Sequence, residues 1–216
     1  MIKAVLFDMD GVCFDTERMY HDVWIEVGAR QGLVMTEQLL TDMRGRNQQG
    51  CDAVCRASFG PDFDFYALRE VCVSEMEARI ARDGLPHKEG LGELLQELAA
   101  RGIPAVLATS TSRETSMRYL NMAGVKQYFA GAVCGDDVSH SKPHPEVFLK
   151  AAALAGAEPA SCLVLEDSVN GVKAGAAAGC VTVMVPDMTP ADDELRAIAS
   201  HVLPSLTEVK NRLDTF

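Results

Sequence analysis

Three observations predict an α/β fold whose parallel sheet is interrupted by one all-helical block. An apolar run at residues 2–7 is typical of a buried strand. Residues 17–83 show apolar side chains at helical spacing and contain no convincing strand. From residue 91 onward, helix-like and strand-like segments alternate, which is typical of βαβ units and a parallel sheet. The helical block is therefore predicted to be an insertion into an α/β core.

The inserted block is predicted to contain four helices. Asp15 or Thr16 can cap the first helix, and Gly32 can end it. A polar loop bracketed by glycines, residues 44–50, separates the second helix from the third. The four predicted helices lie at residues 17–31, 37–43, 51–59 and 65–83.

The segments after the block supply the rest of the core. Strands are predicted at residues 104–109, 131–134, 162–165, 181–185 and 201–203. Helices are predicted at residues 91–100, 114–123, 145–155, 169–178 and 195–199, with one more at the end of the chain. We expect a core domain of residues 1–14 and 86–216 and a helical domain of residues 15–85. Because both connections lie near the end of the first strand, the helical domain is expected to form a lid there.

The composition excludes several classes of partner. The chain has 216 residues and a formal net charge of -11 at pH 7, so neither nucleic acid nor an anionic membrane is an expected partner. No apolar run is long enough to span a bilayer, and the first strand begins too early to leave room for a signal peptide. Seven scattered cysteines indicate a reducing compartment. We expect a cytoplasmic monomer.

Two acidic residues stand at the end of the first predicted strand. Because side chains alternate along a strand, Asp8 and Asp10 should point to the same side. Gly11 follows at once and allows the backbone to turn sharply. Like charges this close repel each other, so the pair requires a cation or a shared proton. A chemical site is therefore expected at this end of the strand.

Hydroxyl side chains follow the next strand of the core, at residues 109–112. Thr111 and Glu114 have the spacing of a capping box, which predicts that a helix begins there. Hydroxyls and free backbone N–H groups at a helix start can bind an anion. Ordinary helix capping and anion binding are compatible at this position.

A lysine and a second acidic pair lie further along the predicted core. Pro143 and Pro145 stiffen the loop that carries Lys142, and Glu166 and Asp167 come directly after another strand. Ligands of an open parallel sheet bind at the carboxyl ends of its strands, so these residues should meet the first acidic pair. Carboxylate oxygens are the ligands that Mg²⁺ prefers, and a hydroxyl and an ammonium can orient a phosphoryl group. This set of groups points to phosphoryl transfer.

The four motifs, in their order and spacing, resemble those of the haloacid dehalogenase superfamily of phosphotransferases. They lie at residues 7–12, 107–110, 142–143 and 166–168. The resemblance covers nearly the whole chain and is strongest to the β-phosphoglucomutase-like subgroup, which carries a helical cap after the first motif. It implies a Rossmann-like core with a helical cap domain.

The resemblance also implies a role for each motif residue. Asp8 would be the nucleophile that forms an aspartyl-phosphate. Asp10 would protonate the leaving oxygen and then activate water, and its backbone carbonyl would bind the metal. The implied phosphate-binding residues are Thr109, Ser110 through its backbone, and Lys142. The implied Mg²⁺ ligands are Asp8, Asp10 and Asp167, with Glu166 at the metal or next to its ligands.

The favoured function is a phosphatase that acts on a small phosphorylated metabolite such as a sugar phosphate. A β-phosphoglucomutase-type phosphomutase stays open, but His21 lies one position later than that enzyme's histidine, and Gln48 stands where its cap arginine is expected. Dehalogenases lack an acid two residues after the nucleophile, so Asp10 argues against that activity. The intact motifs argue against an idle phosphate-binding or regulatory protein.

The helical domain is expected to select the substrate. Trp24 lies in an apolar stripe and is expected to be core, and Arg79 is a further candidate for contact with the substrate. The candidate substrate contacts are Thr16, Tyr20, His21, Arg44, Arg46 and Asn47.

Overall fold

Six parallel strands form the sheet at the centre of the computed structural model, which describes all 216 residues. Their order is β3-β2-β1-β4-β5-β6. The strands are β1 (Ala4–Phe7), β2 (Ala105–Ala108), β3 (Phe129–Val133), β4 (Cys162–Glu166), β5 (Val181–Met184) and β6 (His201–Val202). All five pairings between neighbouring strands are parallel, which confirms the predicted α/β class.

The first strand lies in the middle of the sheet. Leu6 is paired with Val106 of β2 on one side and with Val164 of β4 on the other. The chain moves to β2 and β3 on one side of β1 and later to β4 and beyond on the other. Such a reversal of strand order opens a crevice at the carboxyl ends, where ligands of this architecture bind.

Helices cover both faces of the sheet. The core helices are α5 (Leu91–Ala100), α6 (Arg113–Met122), α7 (Glu146–Leu154), α8 (Val169–Ala177), α9 (Asp193–Ile198) and α10 (Leu206–Asn211). Val5 and Phe7 belong to a cluster of 37 buried residues that includes side chains of α5 and α10. Leu6 belongs to a separate cluster of 14 buried residues on the other face, with Phe148 of α7. This alternation follows from the period of two along a strand.

Four helices stand between β1 and α5, as the sequence predicts. They are α1 (Thr16–Arg30), α2 (Glu37–Met43), α3 (Gln48–Phe59) and α4 (Phe65–Asp83). The indole of Trp24 stacks on the ring of Phe65, with centroids 5.9 Å apart, and so ties α1 to α4. Helix α3 starts three residues earlier than predicted because the Asn47 side chain caps it, accepting the N–H of Gly50 at 2.9 Å. The boundaries predicted for a separate helical domain, residues 15–85, stay a prediction.

The two connections between the helices and the sheet run side by side. The N–H of Asp15 donates to the carbonyl of Pro86 at 3.0 Å, and the N–H of Lys88 donates to that of Cys13 at 3.0 Å. Phe14 bridges to the returning segment in an antiparallel sense. Because these contacts lie only a few residues beyond Asp10, the helical block is anchored directly next to the acidic pair.

The seven cysteines lie mostly in the interior of the protein. All seven cysteines are free, and six of them are buried. Cys162 and Cys180 lie in the apolar cluster of 14 buried residues that contains Leu6, and so belong to the core as the sequence predicts. None of the helices has both the length and the apolar composition needed to cross a membrane.

Candidate active site

A buried lysine connects two carboxylates at the end of the central strand. Lys142 is 1% exposed, and its Nζ donates to Asp8 Oδ1 at 2.5 Å and to Glu166 Oε1 at 2.6 Å. The carbonyl of Ala108 accepts a third hydrogen bond at 3.2 Å. Burial lowers the pKa of Lys142, but the charges of Asp8 and Glu166 outweigh it and hold that pKa above its usual range. The ammonium therefore stays charged and fixed in direction.

Glu166 is the most completely hydrogen-bonded of these carboxylates. Its Oε2 accepts the N–H groups of Asp167 and Ser168 and the Ser168 hydroxyl, each at 3.0 Å. Gly171 leaves the space for it, since a Cβ there would lie 1.8 Å from the Glu166 carboxyl carbon. Both oxygens are thus engaged by protein donors. This geometry favours a role in holding Lys142, and the metal role implied for Glu166 stays a prediction.

The carboxyl group of Asp167, unlike that of Glu166, is buried without a cation paired to it. Burial raises the pKa of its carboxyl well above the usual range, the charges of Glu166, Glu17 and Asp8 add to the shift, and none of the largest contributions comes from a cation. Gly11, at φ +82°, permits the close approach, because a Cβ there would lie 2.3 Å from Asp167 Oδ2. Asp167 therefore contributes a buried charge that no protein group balances.

These carboxylates fit a hard divalent cation. One oxygen from each of Asp8, Glu166 and Asp167 lies within 4.8 Å of the others, and all three residues are buried. One lysine cannot balance three carboxylates, and burial raises the pKa of Asp8 although Lys142 acts against this shift. Oxygen-only ligand sets of this kind suit Mg²⁺ or Ca²⁺. Asp8 and Asp167 are the members with capacity to bind it.

Asp10 is held apart from this cluster by two hydroxyls. Thr16 donates to Oδ1 at 2.5 Å, and Thr111 donates to Oδ2 at 2.6 Å. Burial raises the pKa of Asp10, while the two hydroxyl hydrogen bonds act in the opposite direction. The capping box predicted for Thr111 is wrong, because Ser112 caps α6 through the N–H of Thr115 and leaves the Thr111 hydroxyl for Asp10. The side chain of Asp10 thus faces hydroxyls, and a metal contact through its backbone carbonyl stays a prediction.

The predicted phosphate-binding residues lie beside Asp8. Thr109 is buried, and its hydroxyl oxygen accepts the N–H of Thr111 at 3.1 Å. The Ser110 hydroxyl donates to the carbonyl of Gly45 at 2.9 Å, so it ties the loop before α3 to the core. The side chain of Ser110 is thus engaged with Gly45, and phosphate binding by its backbone stays a prediction.

A cavity of about 950 Å³, counting its open mouth, lies between the sheet edge and the four inserted helices. Asp8, Asp10, Thr109 and Ser110 line its core side. Several predicted contacts lie on the helical side, namely Tyr20, His21, Arg44 and Arg46, together with the largely buried Trp24.

Three of the predicted substrate contacts have other partners. Thr16 bonds Asp10 and does not line the cavity. Asn47 caps α3 and also lies outside the cavity lining. Arg79 pairs with Glu26 at 2.8 Å and with Glu75 at 3.4 Å, away from the cavity.

Two further charged residues, which the sequence did not single out, line the cavity. Burial and the charge of Asp10 raise the pKa of Glu17 to about 8, and its carboxylate lies 3.8 Å from Nε of Arg44. Arg69 reaches the cavity from α4. The sequence indicates Glu17 only as the charged residue directly after the candidate caps Asp15 and Thr16. It indicates Arg69 only as the neighbour of Leu68, which belongs to the apolar face of its helix.

A family model described as haloacid dehalogenase-like hydrolase matches residues 2–179. The chain belongs to this family. It is 30% identical over 213 residues to validoxylamine A 7'-phosphate phosphatase of Streptomyces hygroscopicus subsp. limoneus, covering 97% of each chain. It is 31% identical over 180 residues to phosphorylated carbohydrates phosphatase of Thermotoga maritima, covering 82% of each. These matches confirm the prediction of a phosphoric monoester hydrolase.

The solved structures confirm the fold. A β-phosphoglucomutase from Clostridium difficile superimposes with a TM-score of 0.81 over the full length of both chains. At 21% sequence identity this likeness concerns the fold alone. The Rossmann-like sheet with helices inserted after its first strand is therefore shared with that protein.

The role of Lys142 in holding the buried carboxylates can be tested by stability. We expect Lys142→Met to lower the free energy of unfolding by about 3–5 kcal/mol, because Asp8 and Glu166 would stay buried without their cation. The control is Lys150→Met, which removes an exposed lysine paired with Glu146 and should cost less than about 1 kcal/mol. Urea unfolding followed by circular dichroism measures both variants. Equal losses in the two variants would contradict the account.

Proposed function

We propose that the chain is a Mg²⁺-dependent phosphatase of small phosphorylated metabolites that works through an aspartyl-phosphate on Asp8. One observation carries the proposal. Lys142 holds Oδ1 of Asp8 at 2.5 Å, the other oxygen receives no hydrogen bond from the protein, and Asp8 lines the cavity between the sheet edge and the inserted helices. A carboxylate fixed in this way is prepared to attack a phosphorus atom.

The first step transfers the phosphoryl group to Asp8. A carboxylate oxygen of Asp8 forms a bond to phosphorus as the bond from phosphorus to the ester oxygen breaks. The ester oxygen leaves as an alcohol after it takes a proton from Asp10. Thr109 and the Ser110 backbone lie beside Asp8, where they can hold the phosphoryl oxygens, and the positive charge of Lys142 next to Asp8 can offset the negative charge of the phosphoryl group.

The second step returns Asp8 to its starting state. Asp10, now ionised, accepts a proton from a water molecule that attacks phosphorus, and the bond between phosphorus and Asp8 breaks to release phosphate. Burial favours the protonated form of Asp10, and the hydroxyls of Thr16 and Thr111 favour the ionised form. Opposed influences of this kind leave both forms accessible, which a residue that first donates and then accepts a proton requires.

Asp8 and Asp167, with the backbone carbonyl of Asp10, are the proposed ligands of Mg²⁺. When bound, the ion offsets negative charge on the carboxylates and on the phosphoryl group. Glu166 contributes indirectly, since it fixes the direction of Lys142 through the hydrogen bond at 2.6 Å.

The cavity supports a substrate that carries several hydroxyl groups. Its helical side presents hydrogen-bonding groups of both kinds, namely Glu17, Tyr20, His21, Arg44, Arg46, Gln48 and Arg69. Two relatives act, by their names, on phosphorylated carbohydrates and on validoxylamine A 7'-phosphate. We therefore propose a sugar phosphate or polyol phosphate as substrate. We also propose a monomer in the cytoplasm, where the seven free cysteines would stay reduced.

A phosphomutase is the second candidate, and one observation favours it. His21 lines the cavity in spite of its shifted position, and three arginines share that lining, Arg44, Arg46 and Arg69. Such a group could hold a second phosphate. Gln48, at the position expected for the mutase arginine, also faces the cavity and argues for the phosphatase.

A substrate screen tests the phosphatase proposal. With Mg²⁺, the wild type should release phosphate from p-nitrophenyl phosphate and from several sugar and polyol phosphates. Asp8→Asn should lower kcat roughly 10⁴-fold or more, and Asp10→Asn should lower it about 10²–10⁴-fold. Arg79→Gln, which alters an arginine outside the cavity, is the control and should keep wild-type rates. Rapid conversion of glucose 1-phosphate to glucose 6-phosphate with a bisphosphate primer, without phosphate release, would instead establish the mutase.

The metal proposal has a readout that does not require activity. We expect saturating Mg²⁺ to raise the Tm of the wild type by roughly 5–10 °C over its value in chelator. Asp167→Asn should show no such shift, and in chelator it should be at least as stable as the wild type because it removes one buried, unbalanced charge. Asp136→Asn changes an exposed acid outside the cluster and should respond to Mg²⁺ like the wild type. A Mg²⁺ shift that persists in Asp167→Asn would exclude the proposed ligand.

A further inference from the structure

A second group of metal-ligating side chains lies on the outer side of the loop that carries Lys142. His140 and His144 stand two residues before and two residues after the lysine, and Glu146 begins α7. One possible ligand atom from each of the three lies within 4.8 Å of the others. The two imidazole rings have centroids 4.6 Å apart. None of these side chains has a part in the proposed phosphatase chemistry.

The distance between a ring nitrogen of His140 and a carboxylate oxygen of Glu146 already suits two ligands of one metal ion. His140 Nδ1 lies 3.2 Å from Glu146 Oε2. With bonds of about 2.0–2.2 Å and tetrahedral angles, two ligand atoms on one zinc ion lie about 3.3–3.5 Å apart. The His144 side chain is exposed, and its Nδ1 accepts the N–H of Glu146 at 3.3 Å. Its ring can turn to complete the set by giving up this one long hydrogen bond, without disturbing the core. The geometry therefore needs only a side-chain adjustment at the surface.

The carboxylate of this group is fixed and ionised. Lys150 donates to Oε1 of Glu146 at 2.7 Å, and the N–H groups of Ser139 and His140 donate to its two oxygens at 3.0 and 2.9 Å. These hydrogen bonds lower the pKa of Glu146 to about 2, with that from Lys150 contributing most. Outer hydrogen bonds that orient a ligating carboxylate are a regular feature of metal sites.

We propose that His140, His144 and Glu146 form a peripheral site for a transition-metal cation of the Zn²⁺ class, separate from the carboxylate cluster of the active site. Imidazole ligands favour Zn²⁺, Co²⁺ or Ni²⁺ over Mg²⁺, whereas the all-oxygen cluster around Asp8 favours Mg²⁺. The two sites therefore select different metals by ligand chemistry.

The position of the site gives the ion a structural consequence. Binding would join the start of the Lys142 loop, at His140, to its end, at His144, and to the first turn of α7. A polar groove borders the loop there, and its other wall is formed by Asn47, Gln49 and Gly50 at the start of α3. The ion would thus lie where the inserted helices meet the core and would restrain the loop that presents Lys142.

The test is a Zn²⁺ titration of untagged full-length protein by isothermal calorimetry. It is run in the Asp167→Asn background, which weakens binding at the carboxylate cluster. We expect one equivalent of Zn²⁺ to bind and to raise the Tm, and both effects to be lost when His140→Asn and His144→Asn are added. Both histidines are exposed, so these substitutions should leave the circular dichroism spectrum unchanged.

Two matched controls define the outcome. His201→Asn alters another exposed histidine, and Asp136→Asn alters an acid of a different acidic and cysteine cluster. Each control should keep the full equivalent of bound Zn²⁺. A titration that the two histidine substitutions leave unchanged would overturn the proposal, and so would the absence of Zn²⁺ binding in the parent variant. Neither result would bear on the phosphatase proposal, which is tested with Mg²⁺ and phosphate esters.

Discussion

The site depends on the buried ion pairs that the ammonium of Lys142 forms with the carboxylates of Asp8 and Glu166. A buried ion pair is costly unless its charges are matched and its remaining hydrogen-bonding groups are satisfied. Here the lysine satisfies all three of its donors, and Glu166 is in turn held by the turn that starts α8. The orientation of the Asp8 carboxylate is therefore set by the framework of the sheet and by the buried lysine.

The same arrangement explains why small residues stand where the backbone comes close. Gly11 and Gly171 have no room for a Cβ, because Asp167 and Glu166 occupy the space on their open sides. The strand order brings the residues of the site together. Since β1 lies between β2 and β4, the residues that follow these strands meet at one edge of the sheet. The inserted helices close that edge, and the hydroxyl of Thr16 carries a contact from α1 to Asp10.

Much of this could be predicted because strand geometry is regular. Alternation along β1 and the parallel order of strands bring Asp8, Thr109 and Asp167 together whatever the details of packing. The partners of the polar side chains could not be predicted in this way. Thr111 has the spacing of a cap, yet its hydroxyl donates to Asp10, and Ser112 one residue later caps the helix instead. Arg69 lines the cavity because α4 packs against α1 and α3, and no local pattern encodes this tertiary packing.

The covalent step on Asp8 is the central claim, and trapping it is the most direct test. Wild-type protein turning over a phosphate ester with Mg²⁺ is quenched in acid, digested, and analysed by mass spectrometry. We expect a phosphoryl group on the tryptic peptide of residues 4–18, localised to Asp8 and absent from Asp8→Asn. Steady turnover with no phosphoryl group on that peptide, or with the group on another residue, would contradict it.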